Sequence, residues 1–294
     1  MSSYVGLAIL LLLWSSAFAA IRAGLSAYGP GELALLRFLT ASCILGLVAC
    51  VRRTGLPRGR DVPILLLLGG LGITGYHLAL NFGEVSVSAG TASLLIASAP
   101  LFTALFAMPV LGERMRPIGW IGIAIGFGGV ALIALGEGGG VRMEAGAGVI
   151  VLAAVCASAY NVLQKRFMAR YGPLEFTTYV IWAGTIPMLV FLPGLIRTVG
   201  AAPMAATASA LYLGVFPGAI AYVLWVAALA RFPASALASF LYLNPVLAIA
   251  IAWVWLSEVP TALTILGGVV AIAGAALASW AGRRAAAGVE RSKA

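Results

Sequence analysis

The sequence contains one histidine, His77, and its neighbours at helical spacing are polar. Thr74, His77 and Asn81 stand at i, i+3 and i+7, so in a helix they share one face. Tyr222 and Trp225 form a similar stripe, as do Ser235, Ser239 and Tyr242, which Asn244 follows. Trp14 with Phe18, Tyr160 with Asn161, and Glu175, Tyr179 and Trp182 complete the set. Aromatic walls carrying a few hydrogen-bonding groups suit reversible binding of a small molecule. Bond-breaking needs paired carboxylates, a histidine cluster or a nucleophile beside a base, and one histidine among these stripes supplies none of them. No catalytic residue is assigned.

Each stripe also has a plain structural reading. Serine and threonine serve as small helix-packing residues in membranes, and mid-span aromatics fill cores. His77 reads either as a satisfied core imidazole or as a solute or gate contact. Tyr4, Tyr28, Tyr171, Tyr212, Trp120, Trp255 and Trp280 sit at the ends of apolar runs, where an interfacial belt is expected. Arg37 lies about a turn and a half inside such a run and either binds a carboxylate or snorkels to the interface. The structural role is the expectation. Glu84 falls in a joint between runs.

The elements that must position these residues follow from composition. The chain is 62% apolar and 9% charged, against roughly 25% charged in soluble domains. Hydrocarbon is therefore the solvent for most of it, and only helices or closed barrels satisfy their backbone groups there. Apolar runs such as Ile64–Leu68 lack the alternation of barrel strands. Spans of the length a bilayer requires fall at 4–22, 31–51, 62–82, 88–111 and 118–136, then at 146–164, 174–196, 208–229, 234–256 and 262–281. Residues 1–20 resemble a signal peptide, but no Lys or Arg precedes their apolar core, so a retained first helix is expected.

Of the 18 Lys and Arg residues, fourteen fall in the joints after spans 2, 4, 6 and 8 or in the C-terminal tail. The opposite joints hold Arg22, Arg142 and Arg197. This bias places both termini in the cytoplasm. It also accounts for the net charge of +9 without a nucleic-acid partner. Membrane lipid and a small-molecule solute are the partners expected. Cys43, Cys50 and Cys156 lie in apolar runs and read as packing residues, so neither metal nor cofactor is expected.

The two halves repeat. Tyr28-Gly-Pro-Gly-Glu32 recurs as Tyr171-Gly-Pro-Leu-Glu175, an offset of 143, and Ala99-Pro100 recurs as Asn244-Pro245, an offset of 145. Leu111-Gly112-Glu113 recurs as Leu256-Ser257-Glu258, and Gly122 and Gly129 fall on Gly267 and Gly274. Five spans per copy is an odd number, so the second copy must cross the membrane inverted, as in many secondary transporters. The expected fold is all-α and integral to the membrane: ten transmembrane helices in two inverted five-helix repeats, 1–140 and 141–282, with a basic cytoplasmic tail at 283–294.

These tandem Pro and Gly-Glu patterns, with Trp14-Ser-Ser-Ala-Phe18 and Arg37, resemble the drug/metabolite transporter superfamily, in its ten-helix type with two EamA-like repeats. The likeness covers nearly the whole chain. It implies alternating access and export of amino acids or other metabolites. Within the superfamily the chain looks most like bacterial inner-membrane exporters of amino acids, aromatic ones included.

On that reading, Trp14, His77, Asn81, Tyr160, Asn161, Trp182, Tyr222, Trp225, Ser239, Tyr242 and Asn244 are the expected solute-binding residues. Pro100 and Pro245 each remove a backbone donor and clash with the carbonyl four residues back, which predicts gating kinks in spans 4 and 9. The small-residue faces of spans 5 and 10 read as scaffold or as a homodimer contact. The absence of a mid-span Asp or Glu predicts transport without obligatory proton coupling. A channel-like facilitator and a membrane-embedded enzyme are the rival readings. A phosphate loop for a primary pump is missing from the sequence.

Overall fold

A computed structural model describes residues 3–111, 117–136, 141–168, 170–229 and 241–291. Every regular element among them is helical. Helices α1 (Ser3–Gly24) and α2 (Pro30–Val51) are followed by α3 (Val62–Gly69), which continues through a π-helical turn, Gly70–Gly75, into α4 (Tyr76–Gly83). Next come α5 (Ala89–Ile96), α6 (Ala99–Leu111), α7 (Pro117–Gly136) and α8 (Val141–Met168). Helix α9 (Pro173–Met188) passes through a short 3₁₀ turn into α10 (Leu192–Val199). Helix α11 (Met204–Leu213) enters a second π turn, Gly214–Ile220, and leaves it as α12 (Ala221–Leu229). The chain ends in α13 (Asn244–Leu256) and α14 (Ala262–Arg291).

Seven of these helical stretches are long and apolar enough to cross a membrane, and Pro117–Ile133, Asn244–Leu256 and Ala262–Ala278 are shorter apolar helices. Large apolar side chains such as Leu47, Val190, Val246 and Val254 face outward. That surface suits lipid and would be costly in water.

Local structure recurs at the spacing of the sequence motifs. Pro30 and Pro173 each start a helix at a position where no N–H is needed. Three residues past Gly29, Glu32 accepts from the Gly29 N–H at 3.2 Å, and Glu175 does the same for Gly172 at 3.0 Å. Glu175 is thereby a cap and not a wall of a site. The two π turns also fall on equivalent residues. Span 4 is interrupted between α5 and α6 at Ala97–Ser98, and Asn244 opens α13 at the matching point. Pro100 and Pro245 thus sit in the first turn of a new helix, where their missing N–H is harmless.

Contacts between the halves are reciprocal. Ser158 on α8 donates to the Ala99 carbonyl at 2.7 Å, and Ser15 on α1 donates to the Asn244 carbonyl at 3.2 Å. Each break is therefore held by a serine from the other half. Helices α7 and α14 pack backbone to backbone: a Cβ on Gly122 would meet Gly274 O at 2.8 Å, and one on Gly267 would meet Gly129 O at 2.8 Å. As residue numbers rise along α7 they fall along α14, so the pair is antiparallel. The glycine faces of spans 5 and 10 consequently meet each other inside the chain. A dimer through these helices has only their outer sides to use.

Candidate solute-binding site

The site builds outward from one contact. His77 Nε2 on α4 and the Tyr222 hydroxyl on α12 lie 2.9 Å apart, and the residues are 145 apart in sequence. Both positions follow a π turn by two residues. Such wide turns recur at functional sites because they rotate the helix beyond them. Gly72 in the first turn has to be glycine, since a Cβ there would come within 2.5 Å of the Tyr160 ring.

Aromatic rings close around this pair. Trp14 on α1 meets Tyr222 edge-on at 5.8 Å and Trp225 at 5.2 Å. His77 packs against Phe38 at 4.6 Å and Tyr76 at 4.5 Å. Tyr160 is buried, with its ring against Gly72 of the π turn. Both halves contribute, through α1, α2 and α4 on one side and α8 and α12 on the other. Edge-on and offset rings of this kind add about 0.5–1.5 kcal/mol per pair beyond the area they bury.

Of the residues expected here, Trp14, His77, Tyr160, Tyr222 and Trp225 converge. Asn81 lies one turn beyond His77, fully buried, and its Nδ2 donates to the Pro30 carbonyl at 3.0 Å. Asn161 is turned to Gln164, whose Nε2 donates to it at 2.9 Å. Asn244 is engaged by Ser15 through its carbonyl and its Oδ1.

Trp182 is elsewhere. Its Nε1 donates to the Ser42 carbonyl at 3.2 Å and its ring lies along Gly46, which makes it filler between α2 and α9. Tyr242 packs with Leu101 and Ile123 in a separate apolar cluster. Ser239, like Ser235 and Glu113, lies outside the described residues.

His77 and three polar residues near it are buried with atoms that find no partner among the described residues: His77 Nδ1, Arg37 Nε and Nη1, Asn81 Oδ1 and both Glu84 carboxyl oxygens. Arg37 is 2% exposed, so it does not snorkel to the interface. Glu84 is 0% exposed although it stands just beyond the end of α4. Burial pushes its carboxyl well above the usual carboxylate range, against the opposing pull of Arg22. Phe38, Tyr76 and Glu84 were not among the expected site residues. Glu84 had a readable signal, since it continues the His77, Asn81 face at i+7.

Both ends of the bundle are tied. Arg22 pairs with Glu258 at 3.2 Å and also donates to the Glu84 carbonyl at 2.7 Å, while Glu258 accepts from the Ala89 N–H at 3.0 Å. Near the opposite ends of the helices, Asp61 accepts from Arg170 at 2.6 Å and from the Tyr171 hydroxyl at 2.7 Å. An apolar cleft of about 500 Å³ opens beside Ala23, Pro203, Tyr212 and Trp255 and includes none of the cluster.

The family model described as the EamA-like transporter family matches this chain twice, over residues 1–135 and 144–280. The chain belongs to that family. The "Uncharacterized transporter YdfC" of Bacillus subtilis is 44% identical, spanning 90% of this chain and 87% of that protein. The "Probable terminal-alkyne amino-acid exporter" of Streptantibioticus cattleyicolor is also 44% identical, across 92% and 91%. The "Probable amino-acid metabolite efflux pump" of Salmonella typhimurium is 29% identical across 90% and 91%. One solved crystal structure, 23% identical, matches 96% of this chain and 99% of its own with a TM-score of 0.65, a likeness of fold. This chain is a multi-pass membrane transporter of small metabolites.

Proposed function

We propose that the protein exports amino acids with aromatic or bulky apolar side chains, by alternating access between two inverted five-helix repeats. The observation that carries this reading is the ring of Trp14, Tyr160, Tyr222 and Trp225 around His77, drawn from both halves of the chain. Aromatic walls reward a planar or apolar side chain through stacking and burial. Planar drug-like cations are a second solute class, through attraction to the ring faces. Two relatives whose names include amino-acid exporter and amino-acid metabolite efflux pump support the solute class.

The reciprocal contacts support the architecture. A two-fold axis that exchanges the repeats maps the Gly122–Gly274 approach onto Gly267–Gly129, and Ser15–Asn244 onto Ser158–Ala99. Antiparallel packing of equivalent helices is what inversion requires. We assign residues 1–140 and 141–282 to the repeats, ten spans in all, and 283–294 to a cytoplasmic tail. Both termini face the cytoplasm of a bacterial inner membrane on the distribution of Lys and Arg. Any homodimer would form through the outer sides of α7 and α14.

The test is counterflow. Purified protein in liposomes preloaded with unlabelled phenylalanine should transiently accumulate labelled phenylalanine, with saturation. Absence of amino-acid flux overturns the solute class, and flux that rises without saturation makes the protein a channel. Cysteines placed in the tail should react with impermeant reagents only in inverted vesicles; labelling in intact cells would reverse the orientation.

A further inference from the structure

The repeat supplies a filter. Residues that build the scaffold recur in both halves, so a buried polar group with no counterpart needs another explanation. Arg37 corresponds to Val180 at the offset of 143, while Asn81 and Glu84 correspond to Val226 and Leu229 at 145. The second half carries apolar residues at the three equivalent positions. The first half places there a guanidinium, an amide and a carboxyl, each at most 2% exposed and each with polar atoms that find no partner among the described residues.

Their arrangement is directional. Asn81 and Glu84 stand one turn apart on the helix face that begins with His77, and helical geometry persists through Glu84, whose N–H donates to the Leu80 carbonyl at 2.9 Å. Arg37 stands on α2, which meets this face through the Asn81–Pro30 hydrogen bond and the Phe38–His77 ring contact, yet Arg37 and Glu84 form no ion pair. Arg37 lies against Phe38, which also touches His77. Leaving a guanidinium and a carboxyl buried with their polar atoms unpartnered is costly. One ligand class removes the cost on both sides, namely a molecule carrying a carboxylate and an ammonium a few atoms apart.

We propose that Arg37, Asn81 and Glu84 form the head-group site of a zwitterionic amino acid. The guanidinium fork takes the α-carboxylate, and the Asn81 Oδ1 with the Glu84 carboxyl takes the α-ammonium. The side chain then points past His77 into the aromatic ring. This inference rests on the reading of the protein as an amino-acid transporter and adds which atoms of the solute are recognised. Arginine suits the carboxylate because its planar donors match it bidentately, which lysine cannot do.

The experiment uses liposomes containing the full chain, with phenylalanine, phenethylamine (no carboxylate) and 3-phenylpropionate (no ammonium) as probes. In the wild type only phenylalanine should saturate transport at low concentration. Arg37→Gln should raise its half-saturating concentration on the order of 10-fold or more, the loss expected for a charge-assisted hydrogen bond. It should also shrink the preference over phenethylamine. Glu84→Gln should shrink the preference over 3-phenylpropionate, and Arg37→Lys should restore little. Misfolding lowers all fluxes together and cannot relax one preference alone. If the analogues compete as well as phenylalanine in the wild type, or the variants leave both preferences unchanged, this inference fails while amino-acid transport stands. If the wild type carries no amino acid, the transport reading itself fails and this site falls with it.

Discussion

His77 and Tyr222 are equivalent residues of the two halves, and they touch each other. On the inverted-repeat arrangement proposed above, two points exchanged by the two-fold rotation can meet only beside its axis, and this 2.9 Å contact would mark where the halves turn against one another. Ser42 and Thr185, 143 residues apart, mark a second such point at 3.0 Å. Thr185 already donates to the Ile181 carbonyl, so Ser42 is the donor between them.

Tyr222→Phe removes the hydroxyl and leaves His77 Nε2 without its partner. The ring packing against Trp14 is kept. A buried polar group left unsatisfied costs about 1–3 kcal/mol, so the thermal midpoint in detergent should fall and transport should weaken. A variant as stable and active as the wild type would show that the contact matters to neither.

Trp225→Ala and Trp14→Ala should each depress phenylalanine counterflow strongly while expression and membrane insertion persist. Trp120 is 51% exposed on the outside of α7, and its replacement by alanine should leave counterflow near the wild-type level. The reverse ranking would move the site away from the aromatic ring.

Two glycines of α7 should respond in opposite ways. A Cβ on Gly122 would come within 2.6 Å of the Ala278 backbone nitrogen, whereas one on Gly128 would meet nothing within 4 Å. Gly122→Val should therefore destabilise the protein by about 1–3 kcal/mol, the usual cost of overpacking. Gly128→Ala should be silent or slightly stabilising, because alanine favours helix. Thermal melts of the two variants check this.

Glu84 gives a pH dependence with a definite sign. Burial raises the pKa of its carboxyl, with Arg22 and Arg37 opposing and Glu258 reinforcing the shift. Its pKa is raised in the folded state, so the folded protein keeps a proton that the unfolded chain releases. The stabilisation is complete below the ordinary carboxylate range and is lost as pH rises through the raised value. Melting temperatures should fall across that window in the wild type, and the fall should be shallower in Glu84→Gln. Parallel profiles would mean that Glu84 does not titrate there.

The helical membrane class and the twice-occurring family pattern were legible because hydropathy and motif offset are properties of the chain itself. Helix rotation was not. Trp182 and Tyr242 carry the same residue chemistry as Trp225 and Tyr222, but neighbouring helices turn them toward Ser42 and toward Leu101. Arg37 looked close enough to an interface to snorkel, and packing around α2 covers it instead. Glu84 was set aside as a joint residue, since distance along the sequence from a span end does not report burial. That burial also weakens the ground for expecting transport free of proton coupling, because a titratable carboxyl does sit inside the packed bundle. Ser15 counted only as part of the Trp14-Ser-Ser-Ala-Phe18 pattern and Ser158 not at all; their role depends on the helix breaks they bridge.

The two π turns have a consequence for how the molecule can be driven. Each holds a residue more than an α turn would, and 3.6 residues close one helical circle, so tightening such a turn to α swings everything beyond it by about 100°. His77 and Tyr222 each stand two residues past that point. These two residues mesh like gear teeth and are thus mounted on two wound springs, one per half. Deleting a single residue from Gly70–Gly75 or from Gly214–Ile220 should unwind one spring and pull the teeth apart.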